Sequence, residues 1–226
     1  MLLLVTGASG VGKSTVRRLV DPQVGPEVEC VELAGISGPS LIRDLRWRHR
    51  TTELAAQRAV QLEREGRHLL LCGDPVAGVE VIASPSAAEL DGIAICLLDA
   101  DPKVQAQRLR ARGDDPALLV HHQAFAEWMR RQAADPLHML DVVRTDAWEG
   151  MRWDRIARSA ADWNVHVIDS TQLTAEASAS AVLSWIRSVL AGRVPTVRVP
   201  ADAEPQPVQP FSGATTNRRA GSCPSE

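Results

Sequence analysis

The chain has 226 residues, of which 45% are hydrophobic, with a formal net charge of -3 and a sequence pI of about 6.1. This length and composition predict one main domain with a single substantial core. The charge excludes a chain that is basic overall, so it gives no indication of a nucleic-acid or anionic-membrane partner.

The cysteines and the amino terminus bear on the compartment. The four cysteines lack CxxC spacing. Three of them, Cys30, Cys72 and Cys96, lie in apolar runs typical of buried strands, and Cys223 lies outside such a run. We expect reduced core thiols. The first apolar stretch is too short for a signal peptide or a membrane span, so the sequence predicts a cytoplasmic protein.

A glycine-rich motif follows the first predicted strand, Leu2–Val5. Its glycines permit positive φ, which turns backbone N–H groups inward to form a nest for phosphate, completed by the first turn of a helix over residues 14–20. The motif is a P-loop, in which Lys13 would reach the β- and γ-phosphates and Ser14 would ligate Mg²⁺. The predicted nucleotide-binding residues are Gly7, Ala8, Ser9, Gly10, Val11, Gly12, Lys13, Ser14 and Thr15.

Further elements follow in alternation along the chain. The patterns predict strands over 28–33, 68–72, 93–98 and 165–169, and helices over about 40–65, 102–113 and 175–190. Asp101 is placed to cap the helix that begins at Pro102. Alternating strands and helices predict a parallel sheet covered on both faces, with ligands bound at the carboxyl ends of its strands.

Two segments depart from this alternation. Residues from about 108 to 136 are polar and contain scattered aromatic side chains, which indicates a small helical lid insertion. Beyond Gly192 the composition shifts to Pro, Ala, Gln, Ser and Thr, which predicts a disordered tail over 193–226. The predicted fold is therefore an α/β, three-layer P-loop domain over 1–192 with a five-stranded parallel sheet, followed by this tail.

A basic and aromatic segment lies between the second and third predicted strands. It could bind an anionic or phosphorylated acceptor through arginine forks and the indole of Trp47, or it could be the solvated face of a helix. The sequence leaves both interpretations open. Its residues are Arg43, Asp44, Arg46, Trp47, Arg48, His49 and Arg50.

The motif set narrows the class of nucleotide-binding protein. The chain contains neither the Asn-Lys-x-Asp signature of GTPases nor the Leu-Ser-Gly-Gly-Gln signature of transporter ATPases. What remains resembles the P-loop nucleoside and nucleotide kinase-like phosphotransferases, a group that includes adenylate, shikimate and gluconate kinases. The resemblance covers about residues 1–191. It is carried by residues 7–15, by Gly73-Asp74-Pro75, by 96–102 leading into 108–112, and by 167–171.

This resemblance implies roles for particular side chains. A basic lid would surround the transferred phosphoryl group, with Arg108 and Arg112 on one helix face and Arg130 and Arg131 as further candidates. Asp74 would orient magnesium-bound water or take the acceptor's proton, with Glu32 in reserve. The loop Ser170-Thr171-Gln172 would border the adenine base.

The implied activity is transfer of the γ-phosphoryl group of ATP to a small-molecule acceptor, which would be a nucleoside, a nucleotide or another metabolite with a hydroxyl group. The predicted catalytic residues are Lys13, Asp74, Arg108 and Arg112, and the cofactors are ATP and Mg²⁺, with Ser14 and Asp74 at the metal. The alternative is a nucleotide-binding switch or slow ATPase that has no small-molecule acceptor.

Overall fold

Five parallel strands form one sheet in a computed structural model, which describes residues 1–38 and 42–201. The order across the sheet is β2-β3-β1-β4-β5, so β1 lies in the centre, where Leu3 is level with Leu70 on one side and with Ala94 on the other. The predicted α/β fold with a five-stranded parallel sheet is confirmed. The strands are β1 (Leu2–Thr6), β2 (Val28–Val31), β3 (His68–Cys72), β4 (Ile93–Asp99) and β5 (Val165–Asp169).

Helices cover both faces of the sheet, as right-handed crossovers between parallel strands require. The helices in the described part of the chain are α1 (Lys13–Val20), α2 (Leu33–Ser37), α3 (Leu45–Arg64), α4 (Gly78–Ile82), α5 (Pro102–Arg112), α6 (Leu119–Ala134), α7 (Arg155–Ser159) and α8 (Ala175–Leu190). Within those residues, no helix is both long enough and apolar enough to cross a membrane.

The sheet separates the core into two layers because successive side chains of a strand point to opposite faces. Leu2 and Leu4 of β1 pack with α3, α4, α6 and α7. Leu3 and Val5 pack with α1 and α8 on the other face. A strand buried on both faces explains the continuous apolar run that begins the sequence.

The predicted lid is only partly an insertion. Its second half is α6, whose Ala126 and Met129 belong to the same core layer as Leu2 and Leu4. The exposed part of the segment is the connection between α5 and α6, where Leu118 projects into solvent. The prediction of a lid over 108–136 is therefore wrong for α6, because a buried helix face fixes it to the sheet.

The predicted boundary of the tail is also too early. Val197 forms a two-way backbone bridge with Ile93, with N···O distances of 2.9 and 2.8 Å, and both Val197 and Val199 are buried in the core. Alternate apolar side chains let this short segment cover the amino end of β4, which composition alone did not reveal. The remainder of the predicted tail, 202–226, and Cys223 with it, lie outside the described residues.

The region between β2 and β3 differs in detail from its prediction. The second strand ends at Val31, and α2 follows it directly where only a connector was expected. Helix α3 begins at Leu45, with Asp44 as its N-cap: Oδ1 of Asp44 accepts a hydrogen bond from the backbone N–H of Trp47 at 2.8 Å.

Candidate functional site

The P-loop (Gly7–Thr15) connects β1 to α1 and needs glycine at specific positions. Gly7, Gly10 and Gly12 have φ values of 146°, 85° and 105°. A Cβ atom on Gly7 would collide with the carbonyl oxygen of Leu98, and one on Gly10 would lie 2.8 Å from Cγ of Leu109. The loop is therefore in close contact with β4 and α5, and the predicted sequence of strand, loop and helix is present.

The carbonyl groups of the loop are held by donors from the protein. Nζ of Lys13 donates to the carbonyl oxygen of Ala8 at 2.8 Å, and Nε2 of Gln105 donates to that of Ser9 at 2.8 Å. Because the first N–H groups of a helix have no partner within the helix, the start of α1 keeps its donors available for an anion.

One further carbonyl of the loop is held from two sides. Nη1 of Arg108 donates to the carbonyl oxygen of Val11 at 3.3 Å, and Oγ of Ser170 lies 3.2 Å from the same oxygen and 2.8 Å from the carbonyl oxygen of Asp99. Arg108 also binds Ser170 itself, from Nη1 to Oγ at 2.9 Å and from Nη2 to the carbonyl oxygen at 2.8 Å. The side chain predicted as a lid arginine thus connects α5, the loop and the end of β5.

The ammonium group of Lys13 lies in an unusual environment. The side chain is 6% exposed. Burial lowers its pKa to about 8, although Cys72 and Asp74 raise it in part. A cation with few water contacts gains a large electrostatic stabilisation when a phosphate group approaches.

A cavity of about 510 Å³ opens above the loop. Arg108 and Arg112 both line it, as does Gly73 at the end of β3. Arg112 is largely exposed and forms a bidentate ion pair with Asp114, with N···O distances of 2.6 and 2.5 Å. The structure therefore brings these two predicted arginines to the P-loop, and both guanidinium groups are hydrogen-bonded to other groups of the protein.

The other two lid candidates lie elsewhere. Nε of Arg130 is 2.7 Å from Oδ2 of Asp99, and its Nη2 donates to the carbonyl oxygen of Ala100. Arg131 is exposed and pairs with Glu127 at 2.8 Å. Neither lines the cavity above the P-loop, because the packing of α6 on the sheet directs Arg130 to the end of β4.

Asp74 lies at the carboxyl end of β3 and is half-buried. Its Oδ2 accepts a hydrogen bond from the backbone N–H of Leu33 at 2.7 Å. Burial raises the pKa of the carboxyl, and nearby Glu32 raises it further, against the lowering effects of Leu33, Lys13 and Arg43. Among the residues described, Oδ1 of Asp74 has no hydrogen-bond partner.

The reserve candidate, Glu32, has a different environment. Its Oε1 accepts a hydrogen bond from Nε of Arg17 at 2.8 Å, and a Cβ on Gly73 would meet its side chain within 2.7 Å. An arginine partner neutralises this carboxylate and fixes its position. Asp74 accepts only a backbone N–H and has no ion pair with a described residue, so it is the carboxylate of the pair better placed to accept a proton.

The basic and aromatic segment divides into two sets of side chains. Arg48 forms a bidentate ion pair with the fully buried Glu80, with N···O distances of 2.7 and 3.0 Å. His49 is fully buried, its Nε2 lies 3.1 Å from the carbonyl oxygen of Val143, and burial lowers its pKa. The interpretation of these two residues as acceptor ligands is wrong: they connect α3 to the core.

Other members of the segment remain at the surface. Nε1 of Trp47 donates to Oγ of Ser37 at 3.2 Å, and the guanidinium carbon of Arg43 lies 5.4 Å from the centre of the indole ring. This geometry is that of a cation–π pair. Arg43 makes no ion pair with any described side chain, and its positive charge lowers the pKa of Asp74 in part.

The residues present fit a nucleotide with Mg²⁺. The glycines of the loop have positive φ, which suits a nest for a polyphosphate, and Ser14 is exposed at the start of α1 with its hydroxyl unbonded to described groups. Mg²⁺ prefers hard oxygen ligands and keeps much of its shell as water and phosphate, so a hydroxyl and one carboxylate suffice. Over residues 1–38 and 42–201, no group of three or more His, Cys, Asp or Glu side chains could hold a metal ion.

Some residues of this region carry no sequence signal. Leu173, Ala175 and Ser178, around the start of α8, line the cavity on the side where the loop 170–172 was expected to border adenine. Ser170 itself is buried and bonded to Arg108, so its hydroxyl is not open to a ligand. Gln105 is hidden in sequence because an isolated glutamine in a polar helix has no distinguishing pattern.

No family model matches the sequence, and no curated protein matches it. Solved structures do resemble it. A sugar kinase from Janibacter sp. HTCC2649, in an unliganded structure, has a TM-score of 0.52 at 16% identity, over 85% of this chain and 98% of that chain. A gluconokinase from Sinorhizobium meliloti 1021 has a TM-score of 0.48 at 19% identity, over 84% of this chain and 95% of that chain. The likeness to the Janibacter protein establishes a shared fold, which is the fold that the resemblance implied.

Proposed function

We propose that the chain is a P-loop kinase-like phosphotransferase that moves the γ-phosphoryl group of ATP to a hydroxyl group of a small-molecule acceptor. One observation carries the proposal: a loop with three glycines at positive φ encloses a buried lysine at the floor of a cavity of about 510 Å³. A turn that bound nothing would have no reason to bury an ammonium group beside a cavity. The fold shared with a sugar kinase supports the same class.

The roles of the chain's own residues follow from their positions. Lys13 leaves the carbonyl of Ala8 for the phosphate chain, because a multiply charged anion is the stronger partner. Arg112 exchanges Asp114 for phosphate oxygens as the connection between α5 and α6 closes over the cavity. Ser14 and Asp74 would hold Mg²⁺, which would supply positive charge at the phosphate oxygens.

Asp74 completes the reaction on the acceptor side. The acceptor hydroxyl oxygen forms a bond to the γ-phosphorus of ATP while the bond to the bridging β–γ oxygen breaks, giving ADP. The hydroxyl proton passes to Oδ1 of Asp74, and burial favours this step because it raises the pKa of that carboxyl. The acceptor binds beside the start of α3, where the exposed Arg43 lies over the half-buried indole of Trp47.

The test is ADP formation from MgATP over a panel of nucleosides, nucleotides, sugars and hydroxy acids, compared with a reaction that lacks an acceptor. We expect acceptor-dependent turnover that Lys13→Ala abolishes. Asp74→Asn should lower kcat by at least about 100-fold, because general-base catalysis typically contributes that much. Glu32→Gln at the neighbouring carboxylate is the matched control and should retain most of the turnover.

Binding of MgATP without turnover on any acceptor would instead favour the nucleotide-binding switch. Failure of the chain to bind MgATP at all would contradict both functions.

A further inference from the structure

Helix α5 lies directly against the P-loop. Three of its side chains on one face contact the loop: Gln105, Arg108 and Leu109, which are spaced as neighbours on a helix surface. A Cβ on Gly10 would lie 2.8 Å from Cγ of Leu109 and 3.3 Å from Cγ of Gln105. The shape of the loop therefore depends on α5.

Gln105 is the buried member of this face. Its side chain is 0% exposed, and Nε2 donates to the carbonyl oxygen of Ser9 at 2.8 Å. The same nitrogen donates at 3.4 Å to the carbonyl oxygen of His122 in α6. One amide group thus joins the loop, α5 and α6.

The orientation of this amide is determined by its neighbours. With two carbonyl oxygens facing Nε2, a flipped amide would place Oε1 against two acceptors. Oε1 is buried without a partner in the described part of the chain, a cost that the bonds of Nε2 must offset. A buried polar group retained at such a cost indicates a positional requirement at this point of the loop.

The requirement concerns the direction of the loop's carbonyl groups. An anion binds a nest only where the N–H groups face it and the carbonyl oxygens are directed elsewhere. The hydrogen bond from Lys13 to the carbonyl of Ala8 lasts only until the ammonium group moves to a bound phosphate. Gln105 is neutral and buried, so its bond to Ser9 persists when an anion occupies the cavity.

We propose that Gln105 is a positioning residue that holds the carbonyl of Ser9 away from the phosphate cavity and so maintains the anion-binding form of the P-loop. The inference rests on the proposed function in that the anion is the phosphate chain of a nucleotide. Gln105 itself touches neither nucleotide nor acceptor.

The first test measures the loop without any ligand. Gln105→Met keeps the length and removes both donors, and Gln107→Met on the exposed face of the same helix is the matched control. Amide hydrogen exchange of the peptide that contains residues 7–12 should be about tenfold faster in the first variant and unchanged in the second. Equal exchange in both variants would overturn the proposal, whatever the protein binds.

The second test measures binding of MgATP and of magnesium pyrophosphate by calorimetry. Both should bind about tenfold more weakly to Gln105→Met than to Gln107→Met, at similar melting temperatures. Undiminished affinity in a folded Gln105→Met protein would contradict the positioning role. Absence of binding by the unmodified chain would contradict the proposed function, and the exchange experiment would still decide on Gln105.

A third variant covers the case in which Gln105→Met does not fold. Gln105→Glu is isosteric, and its carboxyl can donate a hydrogen bond only when protonated. Relative to the unmodified chain, its affinity for MgATP should recover as the pH falls from about 8 to about 5.5, the range in which a buried carboxyl titrates. If residue 105 were needed only for packing, the ratio of the two proteins' affinities for MgATP would not depend on pH, and that result would overturn the proposal.

Discussion

Lys13 reaches back to its own loop: Nζ donates to the carbonyl oxygen of Ala8 over 2.8 Å, inside a cradle where the side chain is 6% exposed. In this position the ammonium group has a carbonyl oxygen as its partner in place of water. The loss of water explains why burial is the largest effect on the pKa of Lys13 and lowers it to about 8.

This lowered pKa predicts how nucleotide affinity depends on pH. Below about pH 8 Lys13 is protonated and attracts phosphate, and above this value it is neutral in the free protein, so binding must take up a proton. We expect the Kd for MgATP to rise by up to about tenfold per pH unit above that point. In Lys13→Arg, whose guanidinium stays charged, the titration curve should lack this inflection. The same inflection in both proteins would assign it to another group.

Alanine substitutions at Gly10 and Gly12 should distinguish the cost of a steric clash from the cost of backbone strain. Both have positive φ, so alanine at either position should cost about 1 to 2 kcal/mol of unfolding free energy. A Cβ on Gly10 also meets Leu109, whereas nothing lies within 4 Å of one on Gly12. Gly10→Ala should therefore lose a further 1 to 3 kcal/mol or so from overpacking in urea titrations. Equal losses would show that α5 yields to the added methyl group.

Arg48 and Arg50 are expected to differ sharply although only one residue separates them. Arg48 pairs with the fully buried Glu80, so Arg48→Met leaves an uncompensated charge and should lower the free energy of unfolding by about 3 kcal/mol. Arg50 is exposed and forms no ion pair with described residues, and Arg50→Met should stay within about 0.5 kcal/mol. Urea denaturation of both variants measures the difference. A small loss for Arg48→Met would contradict the structural role given to this ion pair.

The segment that follows α8 gives a test of the revised tail boundary. Val197 is fully buried against the amino end of β4, and Arg198 beside it is exposed. Val197→Ala should lower the free energy of unfolding by about 2 kcal/mol through lost burial and a residual cavity. Arg198→Ala should have almost no effect. Thermal unfolding of the pair would contradict the packing of this segment if the two variants melted together.

Local patterns were sufficient for part of the fold. The bounds of β3, β5 and α8 agree with the sequence predictions, because each begins or ends at a strong local signal such as Gly73, Asp169 or the capping Thr174. Helix α6 was not recognised, since its buried face contains Gln132 beside apolar residues and so resembles a polar segment. Its attachment to the sheet depends on partners far away in sequence.

The candidate site shows the same division. The P-loop was predicted residue by residue because every group that the motif needs lies within nine consecutive positions. Arg48 and Arg43 look alike in sequence. Arg48 binds Glu80, which lies 32 positions further along the chain, whereas Arg43 lies at the surface over the ring of Trp47. No local pattern carries that distinction.

The sequence alone thus determined a glycine-rich loop between the first strand and the first helix of a parallel α/β fold, because spacing and glycine content act over a few residues. The tertiary structure decided which side chains surround that loop. Gln105 and Arg108 reach it from α5, and Asp74, just beyond β3, acts on the charge of Lys13. Arg130 is turned away to Asp99. Each position depends on elements that pack together across long separations in sequence.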